Sequence, residues 1–404
     1  MNYKKTTDFL FKQFPAFQKK GESAYKPGLD RVSKLSKLVA NPHKKFKSIH
    51  IAGTNGKGSC SHMMASIMQE AGYKVGLFTS PHLKDFRERI KINGIEIPEQ
   101  KVIDFVSRLK HKTTSIKPSF FEYTTIMAFE YFADQKVDIA IIETGLGGRL
   151  DCSNIIKPEI SIITNIGFDH QQFLGNTLTK IAKEKAGIIK TNTPVVIGRR
   201  QHETIDVFNF FSRKKQSKII WADEVNCNFK LDLLGSYQKE NSRTVFAAIN
   251  ELKNQGWEIS TNTIKSGFEK SIQNTGIKGR WDILQETPKV ICDTGHNEDG
   301  VNQIVRQLND LNFNQLHIVW GMTNDKDISK ILTLLPEKAN YYWCSPKIER
   351  ALKTDDLEIN ATKFKLKGKK YDSVKKALNK AILNASDEDL IFIGGSTFVV
   401  AEAL

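Results

Sequence analysis

Residues 49 to 72, IHIAGTNGKGSCSHMMASIMQEAG, constrain this chain more than any other stretch. An apolar strand runs into a glycine-rich turn and then into a segment expected to be an amphipathic helix. Gly53, Gly56 and Gly58 carry no Cβ, so backbone N–H groups can approach a polyphosphate that also faces a helix N-terminus. Lys57 has the length to reach a terminal phosphate, and Ser59 falls where a hydroxyl would meet a phosphate-bound Mg²⁺. The strict spacing G-x-x-x-x-G-K-[ST] is not met, because position 51 is Ile and Gly58 separates Lys57 from Ser59. The stretch therefore reads as a variant phosphate loop. The bland alternative is that the glycines merely turn a strand into a helix.

Around this loop, strand-like runs alternate with helix-length segments: HIAG, KVGLF, VDIAIIE, ISIITNI, PVVIG and KIIWA. Such alternation predicts an α/β fold with a mostly parallel sheet and helices on both faces. One insertion breaks it, where RIKINGIEIP reads as a hairpin turned by Asn93 and Gly94. Helical stretches follow at about 237–254 and 261–273, and then NTGIKGRWDILQETP, turn-rich and polar, reads as a domain boundary. A second α/β series has KVICDTG, LHIVWGM, NYYWCS and DLIFIGG as strands and helical segments such as SVKKALNKAIL. At 404 residues the chain exceeds the usual size of one core, so domains over 1–280 and 288–404 are expected. The second series has no phosphate loop, so it is expected to contribute to a site opened mainly by the first.

No window approaches the roughly 20 apolar residues of a membrane span, and the N-terminus lacks an apolar signal core. A cytoplasmic protein with no membrane partner is expected. The 5 cysteines are scattered and form no C-x-x-C pair, which points to small buried hydrophobes rather than disulfides or zinc. The net charge of +15 is spread over many lysines. Its densest groups, KKFK at 44–47 and KLKGKK at 365–370, have little aromatic interleaving, so no nucleic-acid partner is expected. A plain solvated basic surface fits better, with steering of anionic substrates as the functional alternative.

Sheets of this kind bind ligands at the carboxyl ends of their strands. Those ends are chemically loaded: Glu143 in ETGLGGRLD, Asp169 and His170 in FDH, and Asp293 in DTGHN. Carboxylates and a histidine near a phosphate loop suit Mg²⁺ beside a nucleotide, although spacing alone leaves His170 open between ligand and hydrogen-bonding partner. Glu184 and Lys185 in TKIAKEKAGIIK read as a solvated helix face. Pattern alone thus reaches a two-domain, nucleotide-dependent enzyme.

GTNGKGS, TSPHL, ETGLGGRLD, the FDH segment, EKAGI, LLGSYQKEN, GRW, DTGHN and GSTFVVAEAL occur in this order along nearly the whole chain. In these motifs the chain resembles the dihydrofolate synthase/folylpolyglutamate synthase family, bacterial bifunctional type, of the Mur-ligase superfamily. The resemblance implies a P-loop central domain over 1–280 and a smaller Rossmann-like glutamate-ligase domain over 288–404. It also implies a monomer acting in folate biosynthesis and one-carbon metabolism. The implied reaction joins L-glutamate to 7,8-dihydropteroate, or to the γ-carboxylate of a reduced folate, with ATP as co-substrate, two Mg²⁺ ions and K⁺ as a further candidate cation.

By the same resemblance Thr54, Asn55, Gly56, Lys57, Gly58 and Ser59 bind ATP phosphates, and Asn241, Arg280, Asp293 and His296 are ATP-side residues. Ser80 and Glu143 match ligands of one Mg²⁺ and His170 a ligand of the other. Lys185 matches a lysine carried as a carbamate, and Lys57, His170 and Lys185 form the catalytic set. The pterin side is implied at Gly28, Ser119, Phe120, Phe121, Glu122, Leu150 and Asp151; read without the resemblance, both phenylalanines are core.

Three departures from the family pattern touch loop-shaping or adenine-side positions. Tyr237 stands where histidine is usual, DTGHNED lacks the alanine before His296 and the proline after Asn297, and TSPHL begins with threonine. Two other readings have discriminators. A Mur-type ligase acting on a peptidoglycan precursor would not use pteroyl substrates. A nucleic-acid-driven ATPase would show salt-dependent DNA or RNA binding.

Overall fold

Inner strands buried on both faces must be almost wholly apolar, and the runs around the phosphate loop meet that condition. In the computed structural model, which describes residues 2–14, 27–324 and 326–404, they form β1 (Lys47–Ala52), β2 (Val75–Phe78), β3 (Ile90–Ile92), β4 (Ile95–Glu96), β5 (Ile139–Glu143), β6 (Ile160–Ile163), β7 (Val195–Ile197) and β8 (Ile219–Trp221). Their order is β4-β3-β2-β5-β1-β6-β7-β8. Every pair from β2 to β8 is parallel, and β3 and β4 add an antiparallel hairpin at one edge. Asn93 and Gly94 turn that hairpin with φ of 46° and 74°, as a two-residue turn with positive φ at both positions requires.

The helix Lys57–Glu70 departs from the expected amphipathic pattern: every residue from Ser59 to Met68 is buried. The cause is its location, since it packs against β1, β2 and β5 on one side and the helices Gln238–Asn254, Thr261–Glu269 and Ser271–Thr275 on another. A helix covered all round has no solvent stripe to keep polar. Its small and sulfur-containing residues fill the contact instead.

Met1–Asp232 and Gln238–Ile277 form one compact unit, and Leu233–Tyr237 with Lys278–Leu404 another. The second carries β9 (Arg280–Glu286), β10 (Lys289–Asp293), β11 (Leu316–Trp320), β12 (Ala339–Trp343), β13 (Gly368–Lys370) and β14 (Leu390–Gly394), in the order β13-β12-β11-β14-β10-β9. All pairs are parallel except β9 with β10.

Here the structure corrects the reading of 274–288 as turn-rich boundary, because Arg280–Glu286 is a strand. As an edge strand with register shifts against β10 it lacks clean alternation; only Trp281 is fully buried, with Ile283 packed beside it. The lysine-rich 365–370 segment likewise hides the opposite edge, β13. Lys369 and Lys370 stay exposed there, and Lys370 pairs with Asp355 at 2.7 Å and Glu358 at 3.1 Å. Charged edge residues of this kind discourage further strand pairing. Among the described residues, no helix is long and apolar enough to cross a membrane.

Candidate active site

The phosphate loop is held from below by the end of β6. Thr54 N–H donates to the Asn165 carbonyl at 2.9 Å, and Asn55 N–H donates to the Asn165 side chain at 2.8 Å. The Thr54 hydroxyl accepts from Gly167 N–H at 2.9 Å. Gly53 and Gly56 are required by close approach. A Cβ at Gly53 would lie 1.8 Å from Thr164 Oγ1, and one at Gly56, where φ is +82°, would lie 2.3 Å from Asn241 Oδ1. Gly56→Ala is therefore expected to lower both ATP affinity and melting temperature. The left-handed backbone alone costs about 1–2 kcal/mol, and calorimetric ATP titration beside thermal unfolding checks both effects.

Lys57 opens the helix and folds back, its Nζ donating to the carbonyls of Gly53 and Thr54 at 3.1 Å each. Ser59 is buried and its hydroxyl accepts from Gln238 Nε2 at 3.1 Å; Gln238 in turn accepts from Asn241. The loop therefore meets the helix Gln238–Asn254 through Gly56, Ser59 and Asn241.

Lys185 corrects the solvated-face reading outright. It is 3% exposed at the end of the helix Leu178–Lys185, with Nζ donating to the Gly53 carbonyl at 2.8 Å. Burial, assisted by the neighbouring charge of Lys57, pushes its pKa down to about 7, against the pull of Asp169 and Asp151. Near neutral pH about half of this amine is uncharged.

Glu143, at the end of β5, is buried and accepts from Ser80 N–H at 3.2 Å, so the ETGLGG and TSPHL motifs meet here. Beside them Arg89 donates from Nε to His82 Nδ1 at 2.7 Å and lies over the Phe120 ring. Burial lowers the Arg89 pKa to about 10, opposed by Glu143 and Glu88, and it remains a cation. Asp169 and His170 follow β6 in sequence; His170 adopts φ of 50° and its N–H donates to Asp169 Oδ1 at 2.9 Å. Among the described residues, no group of three or more His, Cys, Asp and Glu gathers as a metal site of its own.

The pterin-side candidates are deeply built into the unit. Ser119 and Glu122 cap the helix Phe120–Asp134 reciprocally, and Glu122 also pairs with Arg31 at 3.1 Å, tying the GLDRV segment after Gly28 to that helix. Phe120 is buried and stacked on Phe11, whereas Phe121 is half-buried against Phe78. Leu150 is half-buried. Asp151 is buried and accepts four donors: Gly145 N–H and Leu146 N–H on Oδ2, and Ser153 N–H and hydroxyl on Oδ1. It holds the loop and offers a ligand only a shared oxygen.

In the second unit Asp293 is buried and accepts from the Tyr237 hydroxyl, from Trp281 N–H at 2.9 Å and from Gly295 N–H at 2.7 Å. Tyr237, at the position where the family pattern has histidine, thus supplies a donor to this carboxylate. Arg280 Nη1 donates to the Gly279 carbonyl at 3.2 Å, and His296 Nδ1 lies 2.9 Å from the Thr294 carbonyl.

Burial raises the Asp293 pKa and the Tyr237 bond opposes that rise. A raised native pKa means the folded state binds the proton more tightly than the unfolded chain, so stability falls as pH rises through it. Tyr237→Phe is expected to cost about 1–3 kcal/mol at neutral pH. The loss should shrink on acidification as protonation replaces the missing donor, which thermal unfolding at two pH values measures.

Thr164, Asn165, Arg89, Arg31 and Gln238 were not singled out from sequence. The signal for Asn165 was its position, a polar residue two places after the end of the strand next to β1. The others act through contacts distant in the chain.

Residues 51–249 match the Mur ligase middle domain and 279–397 the glutamate ligase domain of Mur ligases. The chain is 32% identical to the dihydrofolate synthase/folylpolyglutamate synthase of Bacillus subtilis, over 93% of its own length and 94% of that protein. It is 30% identical to a probable bifunctional folylpolyglutamate synthase/dihydropteroate synthase of Haloferax volcanii, of which it spans only 50%. The solved structure of Escherichia coli FolC in complex with DHPP and ADP superimposes with a TM-score of 0.87 at 29% identity, covering 100% of this chain and 97% of that one. With the phosphate loop, both ligase domains and the ordered motifs in place, the chain belongs to the dihydrofolate synthase/folylpolyglutamate synthase family of Mur-type ligases.

Proposed function

We propose that this chain is an ATP-dependent amide ligase that joins L-glutamate to 7,8-dihydropteroate, to the γ-carboxylate of a reduced folate, or to both. The observation that carries the reading is the Gly53–Ser59 cradle with Lys57 and Lys185 gathered on the Gly53 carbonyl, in a chain of this family. A carboxylate is a poor electrophile until one oxygen becomes a leaving group. Its oxygen attacks the γ-phosphorus of ATP, ADP departs, and an acyl phosphate forms. The glutamate amine then attacks the acyl carbon and inorganic phosphate leaves, carrying one oxygen of the original carboxylate.

The chain's residues serve that sequence by holding anions together. Loop N–H groups and Lys57 bind the polyphosphate, and Asn241, Arg280, Asp293 and His296 are assigned to the ATP side. Arg280 brings a permanently charged fork. Ser80 and Glu143 are assigned to one Mg²⁺ and His170 to the other, with K⁺ as a further cation. One buried carboxylate beside a serine suits Mg²⁺, which keeps waters and takes phosphate oxygens as remaining ligands. Bound there, the ions would neutralise charge between two anions. Lys185 is assigned as a carbamate, an anion made by CO₂ adding to its neutral amine.

Gly28, Ser119, Phe120, Phe121, Glu122, Leu150 and Asp151 are assigned to the pterin side, with Phe121 the more accessible ring. Residues 1–280 are assigned as the ATP-binding domain and 288–404 as the glutamate-ligase domain. A monomer in the cytoplasm, with neither nucleic acid nor membrane as partner, completes the reading. The test is an acceptor whose carboxylate carries heavy oxygen: its transfer to the released phosphate is expected, and phosphate free of the label would refute the acyl-phosphate route.

A further inference from the structure

Asp151 is fixed from two directions, and one reaches it through a buried chain of side chains. The Ser153 hydroxyl lies 2.5 Å from Asp151 Oδ1, and His50 Nε2 lies 2.9 Å from the same hydroxyl. His50 and Ser153 are fully buried and Asp151 nearly so. His50 sits inside β1, opposite Ile142 of β5 and Ser161 of β6, on the strand that launches the phosphate loop. Burial raises the Asp151 pKa, and the Ser153 hydroxyl and the backbone N–H groups oppose that rise. With three backbone N–H groups already donating to its two oxygens, the carboxyl group is the acceptor and the Ser153 proton points to it. The single hydroxyl proton is then spent, and His50 must supply the proton on its own contact with Ser153. That fixes the tautomer as Nε2–H and leaves Nδ1, which has no partner among the described residues, as a bare acceptor. Burial, reinforced by the charge of Lys190, keeps the ring neutral, as this arrangement needs.

A neutral buried histidine with an unpartnered nitrogen is a poor stabilising element, since an apolar side chain in the same place would leave nothing unsatisfied. Its geometry instead suits orientation of the carboxylate. The structure assigns His50 and Ser153 as positioning residues that hold Asp151, through a His50–Ser153–Asp151 hydrogen-bond relay, in the orientation that recognises the pterin substrate. This rests on the ligase reading and on Asp151 facing the pterin.

The test compares full-length wild type with Ser153→Ala, Ser153→Thr and His50→Val. For each, KM for 7,8-dihydropteroate, KM for ATP, kcat and melting temperature are measured. Removing a donor to a charged group predicts a rise of about tenfold or more in the dihydropteroate KM for Ser153→Ala, with KM for ATP within about twofold. Ser153→Thr restores the hydroxyl and should restore the KM. His50→Val should raise the same KM by about threefold, without lowering the melting temperature, because it removes the unpartnered nitrogen.

A merely structural role would move both KM values together or lower stability with the dihydropteroate KM unchanged, and either result overturns the relay. Should Ser153→Ala fail to fold, an unchanged dihydropteroate KM in His50→Val overturns it equally. Wild-type protein that turns over no pteroyl acceptor would strike the ligase reading and the relay with it. Active wild type with indistinguishable variants would strike the relay alone.

Discussion

Lys57→Ala is expected to reduce ADP formation by about a thousandfold or more, the scale of losing a preorganised charge on a transferring phosphoryl group. The fold should survive, because the side chain is half-buried and, among the described residues, bonded only to carbonyls of its own loop, not to the core. Those carbonyls cradle Nζ at the mouth of the loop, and among the described residues no carboxylate competes for it. A bound polyphosphate offers a far stronger acceptor than two backbone oxygens, so the ammonium is poised to exchange one for the other. Turnover at the wild-type rate, with a wild-type melting curve, would show that the loop does not handle the transferring phosphate.

Lys185→Ala is expected to be comparably inactive, and the cause can be separated from loss of a cation. With its pKa near 7, the amine is about half neutral at neutral pH, whereas an ordinary lysine is almost wholly charged there. Only the neutral amine adds CO₂. At fixed dissolved CO₂, activation by bicarbonate should therefore rise with pH through about 7 and level above it, as the neutral fraction saturates. A short carboxylate such as acetate should partly rescue Lys185→Ala by standing in for the carbamate.

The stability prediction runs the other way. A native lysine pKa below its unfolded value means that stability falls as pH drops from 10.5 toward 7, because only the unfolded chain takes up the proton. In CO₂-depleted buffer at neutral pH, Lys185→Met should therefore melt at a higher temperature than wild type while remaining inactive. Activity that depends on neither bicarbonate nor Lys185 would exclude the carbamate.

Both lysines show what the residues disclosed and what they withheld. Lys57 was legible because a glycine loop between a strand and a helix can be recognised from local spacing. Lys185 was not. In TKIAKEKAGIIK it is one charge among several, and only the helix end packing it against Gly53 distinguishes it from exposed neighbours such as Lys183. The parallel core strands were legible for the same reason as the loop: burial on both faces forces continuous apolar runs. The edges β9 and β13 escaped because an edge strand is half solvated, and register shifts or lysines erase its alternation. His50 carried no local signal, since its partner Ser153 lies about a hundred residues away. The resemblance supplied Asp151 as a candidate, but the four donors that occupy it emerged only from the folded loop.

The most direct test is glutamate-dependent ADP release by the full-length protein with Mg²⁺ and ATP, comparing 7,8-dihydropteroate, tetrahydrofolate and no acceptor, with products identified by mass. ADP release that requires a pteroyl acceptor, with a product heavier by one glutamyl residue, is the expected result. ADP release indifferent to every pteroyl acceptor, or driven by a peptidoglycan precursor or a nucleic acid instead, would contradict it.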